Sequence, residues 1–217
     1  MLSRCTALRS ALAAPPSGRY VFPAQHAVIR HVVEACRLLL PCKRTLVLFG
    51  TYSIGKERVF LEVGRQLGVT LHVERAKMRL IECMRLDNAD ASLLTSEPHS
   101  TTRWRVVPMG QLRAPKLREL LGQLRARFDA IVAFRPTGWA YGRGGAAAGA
   151  AGRTMRLAGN VTVVEVPYSE HSSYDELLQC VRDLQPRKVV ATVDGGPRGD
   201  RHAGLTTLLQ HQREHLQ

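Results

Sequence analysis

The chain has 217 residues, 31 Lys+Arg against 18 Asp+Glu, and a hydrophobic fraction of 45%. That length suffices for one or two ordinary domains. A net charge of +13 suits a nucleic-acid partner, because cations that neutralise phosphates release counterions. Cys5, Cys36, Cys42, Cys83 and Cys180 form no C-x-x-C pair and are odd in number, which argues against a zinc ribbon and a disulfide framework and fits a reducing interior. No apolar run approaches the roughly 20 residues needed to cross a bilayer.

Residues 1–19 contain no acid and carry Arg4, Arg9 and Arg19 among alanines, leucines and serines. This is the pattern of a mitochondrial transit peptide, or of residues appended by a mis-set start codon. Pro23 opens a predicted helix to about Leu39, with Val28, Val32, Ala35, Cys36 and Leu39 at helical spacing. Thr45–Phe49 reads as a buried strand, Gly55 to Leu67 as a helix, and Val69–Val73 as a short strand. Residues 77–85 suggest a short helix, Asp87 to Thr102 a polar loop, and Trp104–Val107 a strand. Ala114 to Phe128 reads as a helix with Leu117, Leu121 and Phe128 inward, and Ala130–Phe134 as a strand. Strands alternating with helices predict an α/β fold with a mostly parallel sheet covered on both faces. The run AYGRGGAAAGAAG at 140–152 reads as a flexible connector.

Val161, Val163, Val164 and Val166 form a β-branched run ended by Pro167. Ser173 and Glu176 make a capping box for a helix with Leu177, Leu178, Val181 and Leu184 inward. Lys188 to Val193 reads as a further strand. His171 therefore lies in a serine-rich loop beside a helix N-terminus, whose free N–H groups favour anions. A histidine there is a candidate for chemistry on phosphate, or else a surface or capping residue.

Residues 50–56, GTYSIGK, match the phosphate-cradling G-x-x-x-x-G-K pattern between a strand and a helix. Position 57 argues against a nucleotide, because Glu57 stands where Ser or Thr would hold magnesium. The turn still offers the hydroxyls of Thr51, Tyr52 and Ser53, the Lys56 cation and a helix N-terminus to one phosphate of a DNA backbone. A tight structural turn is the alternative. Arg135, Thr137 and Trp139 follow a buried strand at the edge where α/β sheets bind ligands. Arg135 there suits phosphate, and Trp139 suits either a base or the core.

The strings PYSEHSSYDEL and PRKVVATV, with TLVLFGTYSIGKERVFLEV at 45–63, IVAFRPTGW at 131–139 and YVFPAQ at 20–25, resemble the C-terminal part of the DNA-repair metallo-β-lactamase family. These are the β-CASP nucleases of interstrand cross-link repair, of the Artemis and Apollo type. The likeness runs in order from Tyr20 to Val193. It implies a β-CASP α/β module at 20–139 after an unmatched 1–19, a linker at 140–157, and a C-terminal metallo-β-lactamase segment at 158–217. The last would be the return of an αββα sandwich, poorly packed without its partner strands.

The resemblance further implies metal-assisted phosphodiester hydrolysis of DNA in the nucleus, with zinc or another divalent ion, DNA as partner and other repair proteins as further partners. It assigns His171 as metal ligand and catalytic histidine, with Ser169, Ser172 and Ser173 orienting it or contacting phosphate. Val193, twenty-two residues after His171, marks a DNA-processing rather than an RNA-processing member. The family's H-x-H-x-D-H motif is absent from the sequence, and the first acid is Glu34. The expectation is therefore a C-terminal half, inactive alone and without tightly bound zinc. The alternatives are a non-catalytic DNA-binding or scaffolding module, and a P-loop nucleotide-binding protein.

Overall fold

The computed structural model describes residues 23–97, 101–138, 152–157, 159–172, 179–180 and 182–185. The chain divides into two units, residues 1–170 and 171–217. Among the described residues, no helix is long and apolar enough to cross a membrane.

The first unit begins with α1 (Gln25–Leu39), followed by β1 (Thr45–Thr51) and α2 (Glu57–Leu67). Next come β2 (Leu71–His72), α3 (Arg75–Cys83), α4 (Asn88–Ser92) and β3 (Leu94–Thr95). After β4 (Trp104–Pro108) and a 3-10 turn at Met109–Leu112 come α5 (Ala114–Gln123), β5 (Ala130–Pro136), β6 (Arg153–Leu157) and β7 (Val161–Val166). One seven-stranded sheet runs in the order β3-β2-β4-β1-β5-β7-β6. All its pairings are parallel except β6 with β7. The expected α/β class is observed.

Near-continuous apolar strands follow from burial on both faces. Val47, Phe49, Trp104, Val106, Val132, Phe134, Val164 and Val166 face one cluster, with Val28, Val32, Cys36, Phe60 and Val63 from α1 and α2. Leu46, Leu48, Ile131, Ala133, Val161 and Val163 face the other, with Leu112, Leu117, Leu121 and Phe128. The rings of Phe134, Phe49 and Trp104 stack in a row across β5, β1 and β4, with centroids 5.4 and 6.4 Å apart.

Several arginines are tied into the scaffold. Arg103 donates to the carbonyls of Leu39, Leu40 and Thr45, so a cation closes the C-terminus of α1, where the helix dipole favours one. Arg65 grips the buried Asp90 with two hydrogen bonds. Arg44 does the same to Asp129 at the start of β5. Arg113, Arg118 and Arg125 are exposed.

Several expectations are corrected. The region read as a polar loop at 87–102 contains α4 and β3; Asp87 caps α4 by accepting from the Asp90 backbone N–H. The helix expected to Phe128 stops at Gln123. Finally, β6 lies inside the span read as linker, and β7, expected in a separate segment at 158–217, pairs with β5 over Ile131–Pro136. The module's sheet therefore runs on to Val166, and β7 is buried rather than left with apolar surface exposed. In the second unit, 179–180 and 182–184 are helical, within the helix foreseen after Ser173. Leu184, expected inward, is exposed. Ser173, Leu177, Leu178 and Val181 lie outside the described residues, as do the linker core 140–151, Trp139, and the strand expected at 188–193 with Val193.

Candidate functional site: a carboxylate-filled turn and the histidine loop

The G-x-x-x-x-G-K turn sits at the C-terminal end of β1, the central strand of the sheet, flanked by β4 and β5. That is the edge where parallel sheets gather ligand-binding loops. Its glycine is needed: Gly55 has φ +104, and a Cβ there would collide with the Glu170 carboxylate. Lys56 follows in the left-handed region at φ 73, unusual for a residue with a side chain.

Both amides that would cradle a phosphate are taken by carboxylates. The Gly55 N–H donates to Glu57 Oε1 at 2.9 Å. The Lys56 N–H donates to Glu170 Oε1 at 2.7 Å. Lys56 is only 6% exposed, and its ammonium turns inward. It lies 3.5 Å from Glu170 Oε2, 3.4 Å from the Tyr168 carbonyl and 5.2 Å from the centre of the Tyr168 ring. Thr51 Oγ1 also points inward, 2.8 Å from the Gly55 carbonyl oxygen. Lys77 of α3 braces the turn from outside: its ammonium donates to Glu57 Oε1 at 2.6 Å and to the carbonyls of Ser53 at 2.9 Å and Tyr52 at 3.0 Å.

Tyr168 is fully buried, and its hydroxyl has no hydrogen-bond partner among the described residues. Burial pushes the phenol above its usual range, with Glu170 and Glu57 adding to the rise and Arg58 opposing it. The next carbonyl, of Ser169, accepts from Gln25 Nε2 at 2.7 Å. In the second unit, His171 and Ser172 are exposed.

The residues expected to hold phosphate thus divide. The polar groups of Thr51 and Lys56 are engaged within the turn. Arg135 pairs with Glu165 at 3.0 Å and donates to the Leu112 carbonyl. The Thr137 N–H donates to the Val166 carbonyl. Tyr52 and Ser53 are exposed. They border a cleft of about 380 Å³ between the ends of β1 and β4 and α3, lined also by Lys77, Leu80, Pro108 and Met109. Sequence reasoning missed Lys77 and Glu170. No local pattern marks Lys77; Glu170 carried one signal, its place beside His171.

This geometry does not suit a nucleotide, because two internal carboxylates occupy the seat of its phosphates and would repel them. Nor do the described residues fit a metal by themselves: no three His, Cys, Asp or Glu among them could hold an ion, and a catalytic zinc takes about three protein ligands.

Residues 88–196, half of the chain, match the family model described as DNA repair metallo-beta-lactamase. The chain is 36% identical over 181 residues to the DNA cross-link repair 1A protein of Gallus gallus, covering 83% of this chain and 18% of that protein. It is 37% identical over 189 residues to the DNA cross-link repair protein SNM1 of Arabidopsis thaliana, covering 84% and 37%. It is 24% identical over 169 residues to the 5' exonuclease Apollo of Gallus gallus, covering 76% and 31%. The chain therefore spans well under half the length of these relatives. With the family model covering both the later strands of the sheet and the histidine loop, the chain belongs to the DNA repair metallo-beta-lactamase family.

Proposed function

We propose that this chain is the C-terminal part of a nuclear DNA-repair nuclease of the 5'-to-3' exonuclease type, acting on interstrand cross-links. In that role it contacts DNA and presents His171 to a divalent-ion centre, zinc by family resemblance, whose other ligands come from outside the described residues. The observation that carries the reading is the exposed His171, inside the segment matched by the family model. In the whole enzyme the ion would supply hydroxide at neutral pH and stabilise the developing charge on phosphorus.

The contributions derivable from this chain are binding and orientation. A neutral imidazole nitrogen of His171 is a ligand-type donor. Ser172 and Ser53 offer hydroxyls to phosphate oxygens, and the exposed Tyr52 ring beside the cleft offers a stacking face to an unpaired base. Ser169, Ser173 and Thr137 remain candidates for the same backbone contacts. Lys56, Thr51 and Arg135 act as scaffold, which leaves charge attraction to other exposed cations such as Arg113, Arg118 and Arg125. Val193 carries the DNA-type marker.

The test joins this chain to an N-terminal half bearing H-x-H-x-D-H and follows 5'-phosphorylated single-stranded DNA. Degradation from the 5' end is expected, and His171→Ala should abolish it while leaving DNA affinity intact. Full cleavage by the His171→Ala protein would overturn the reading. A second reading, a DNA-binding module without catalysis, is favoured by the absence of H-x-H-x-D-H from the sequence. It predicts salt-dependent DNA binding by the chain and no cleavage in the joined protein.

A further inference from the structure

The Arg105 guanidinium of β4 has no partner among the described residues. Arg105 is half-buried, and its Nε is buried without a hydrogen-bond acceptor. Arg103 and Arg135, half-buried as well, are served by backbone carbonyls and, for Arg135, by Glu165. We infer that Arg105, His72 and Arg127 form an anion site for a phosphate group of the DNA backbone, on the face of the sheet that carries α5. The source of the phosphate rests on the DNA reading proposed above; the site itself rests on the register of the strands.

Thr95 on β3 is in register with His72 on β2, and His72 with Arg105 on β4. Arg105 is in register with Leu48 on β1, Leu48 with Ala133 on β5, and Ala133 with Val163 on β7. Residues in register across parallel strands present their side chains to one face, so these positions form one row across the sheet. Leu48, Ala133 and Val163 lie in the apolar cluster with Leu117, Leu121 and Phe128. Thr95, His72 and Arg105 belong to neither cluster, and each is half-buried. The row thus turns from apolar to polar at β4, where neighbouring strands run about 4.8 Å apart.

Arg127, half-buried at the end of the turn before β5, has its guanidinium 5.0 Å from the centre of the Phe128 ring. Burial first, and then repulsion by Arg127, holds the Arg105 guanidinium below its ordinary range. Burial first, and then Arg105, does the same to His72, with Glu74 opposing. Asp129, two residues after Arg127, is already gripped by Arg44. Leaving a buried guanidinium nitrogen without an acceptor costs stability, and gathering cations adds repulsion. A phosphate group relieves both, because its oxygens match the guanidinium fork and accept from a His72 ring N–H. Thr95, whose Oγ1 accepts from the Glu97 N–H at 3.3 Å, keeps its O–H to donate. The net charge of +13 favours a polyanion as the source of that phosphate.

The test uses the full chain, with inorganic phosphate and a fluorescent single-stranded oligonucleotide as probes. At constant pH and ionic strength, phosphate should move the His72 imidazole signals in nuclear magnetic resonance spectra. Arg105→Gln should raise the phosphate concentration at half-shift by about tenfold or more, as expected for losing a charge-assisted hydrogen bond. Arg105→Lys keeps the charge but lacks the fork and should fall between. In anisotropy titrations against KCl, Arg105→Gln should weaken DNA binding by a similar factor at low salt. It should also reduce the salt slope by about 0.7, one phosphate contact on a single strand. Arg37→Gln removes an equal charge from an exposed pair on α1 and should change DNA affinity less than about twofold, since no phosphate contact is lost.

Arg105→Gln removes a charge that has no partner and should fold; if it does not, Arg127→Gln carries both measurements with the same expectations. An unmoved His72, or an equal response in the folded Arg105→Gln and Arg127→Gln chains, overturns the site. Phosphate binding through Arg105 with unchanged DNA affinity and salt slope in the variants overturns the backbone assignment and leaves free phosphate as the ligand. An equal loss of DNA affinity in Arg37→Gln overturns that assignment too, by reducing the effect to general charge. Phosphate binding through Arg105 in a chain that binds no DNA supports the anion site while sinking the DNA reading, so the two failures are told apart.

Discussion

Replacing Lys77 by methionine probes the turn from its other side. In the native protein the Lys77 and Glu57 side chains are 10% and 7% exposed and 2.6 Å apart. The ammonium also serves two carbonyls of the turn. Methionine retains most of the apolar stem, so the loss is electrostatic: the Glu57 carboxylate stays buried and keeps the hydrogen bond from the Gly55 N–H at 2.9 Å. Breaking one partner of a buried pair costs about 3–5 kcal/mol. For a chain of this size that is a fall in Tm of about 6–20 °C, at roughly 2–4 °C per kcal/mol. Thermal and urea denaturation followed by circular dichroism would read it. The double variant Lys77→Met with Glu57→Gln removes both charges and should recover at least about 1 kcal/mol of the loss, the coupling expected of directly paired residues. A Lys77→Met protein within about 0.5 kcal/mol of wild type, the range of ordinary surface substitutions, would refute the assignment of this pair as a structural brace.

His72 titrates below its ordinary range because burial disfavours its charged form and Arg105 adds repulsion. The unfolded chain then takes up that proton first, so stability should decline as pH falls below about 6.5 and level off once the folded His72 also charges; His72→Gln should remove this part of the pH dependence in urea titrations. Asp129 is held below the usual carboxylate range by hydrogen bonding from Arg44 and by its charge, and Arg44→Ala should return it to the ordinary range in a carbon-13 carboxyl titration. Cys36 is buried, and burial raises its thiol well above the ordinary value, whereas Cys83 is exposed. A thiol reagent should therefore modify Cys83 at once and Cys36 only at the rate of unfolding.

The sheet is legible in the sequence wherever a strand is buried on both faces. LVLF, IVAF and VTVV announce β1, β5 and β7 because alternate residues serve opposite clusters. What escapes has a physical cause in each instance. NADAS of α4 has no apolar stripe, and β3 has two residues, too few for a period; the Asp87 cap is the one local cue. The Gly/Ala run suggests a boundary at 140–157, yet strand pairing carries the sheet through β6 and β7, and pairing partners are not written in composition. The placement of the turn at the end of β1 follows from GTYSIGK alone. That its occupant is Glu170 does not, since the contact spans 114 residues and a carboxylate seat looks the same in sequence as a phosphate seat.

The row of three aromatic rings has a bearing on how the parallel strands find their alignment. Phe49 lies opposite Phe134 in the β1–β5 register and diagonal to Trp104 across β1–β4, where Val47 faces Trp104. Sliding either neighbour by one residue would turn its ring to the reverse side of the sheet, parting it from Phe49 and setting a bulky side chain among Leu46, Leu48 and Leu112. Misaligned pairings are thus penalised on two surfaces at once. The aromatic stripe serves as an alignment key for the central strands, and so keeps the ends of β1 and β5 level.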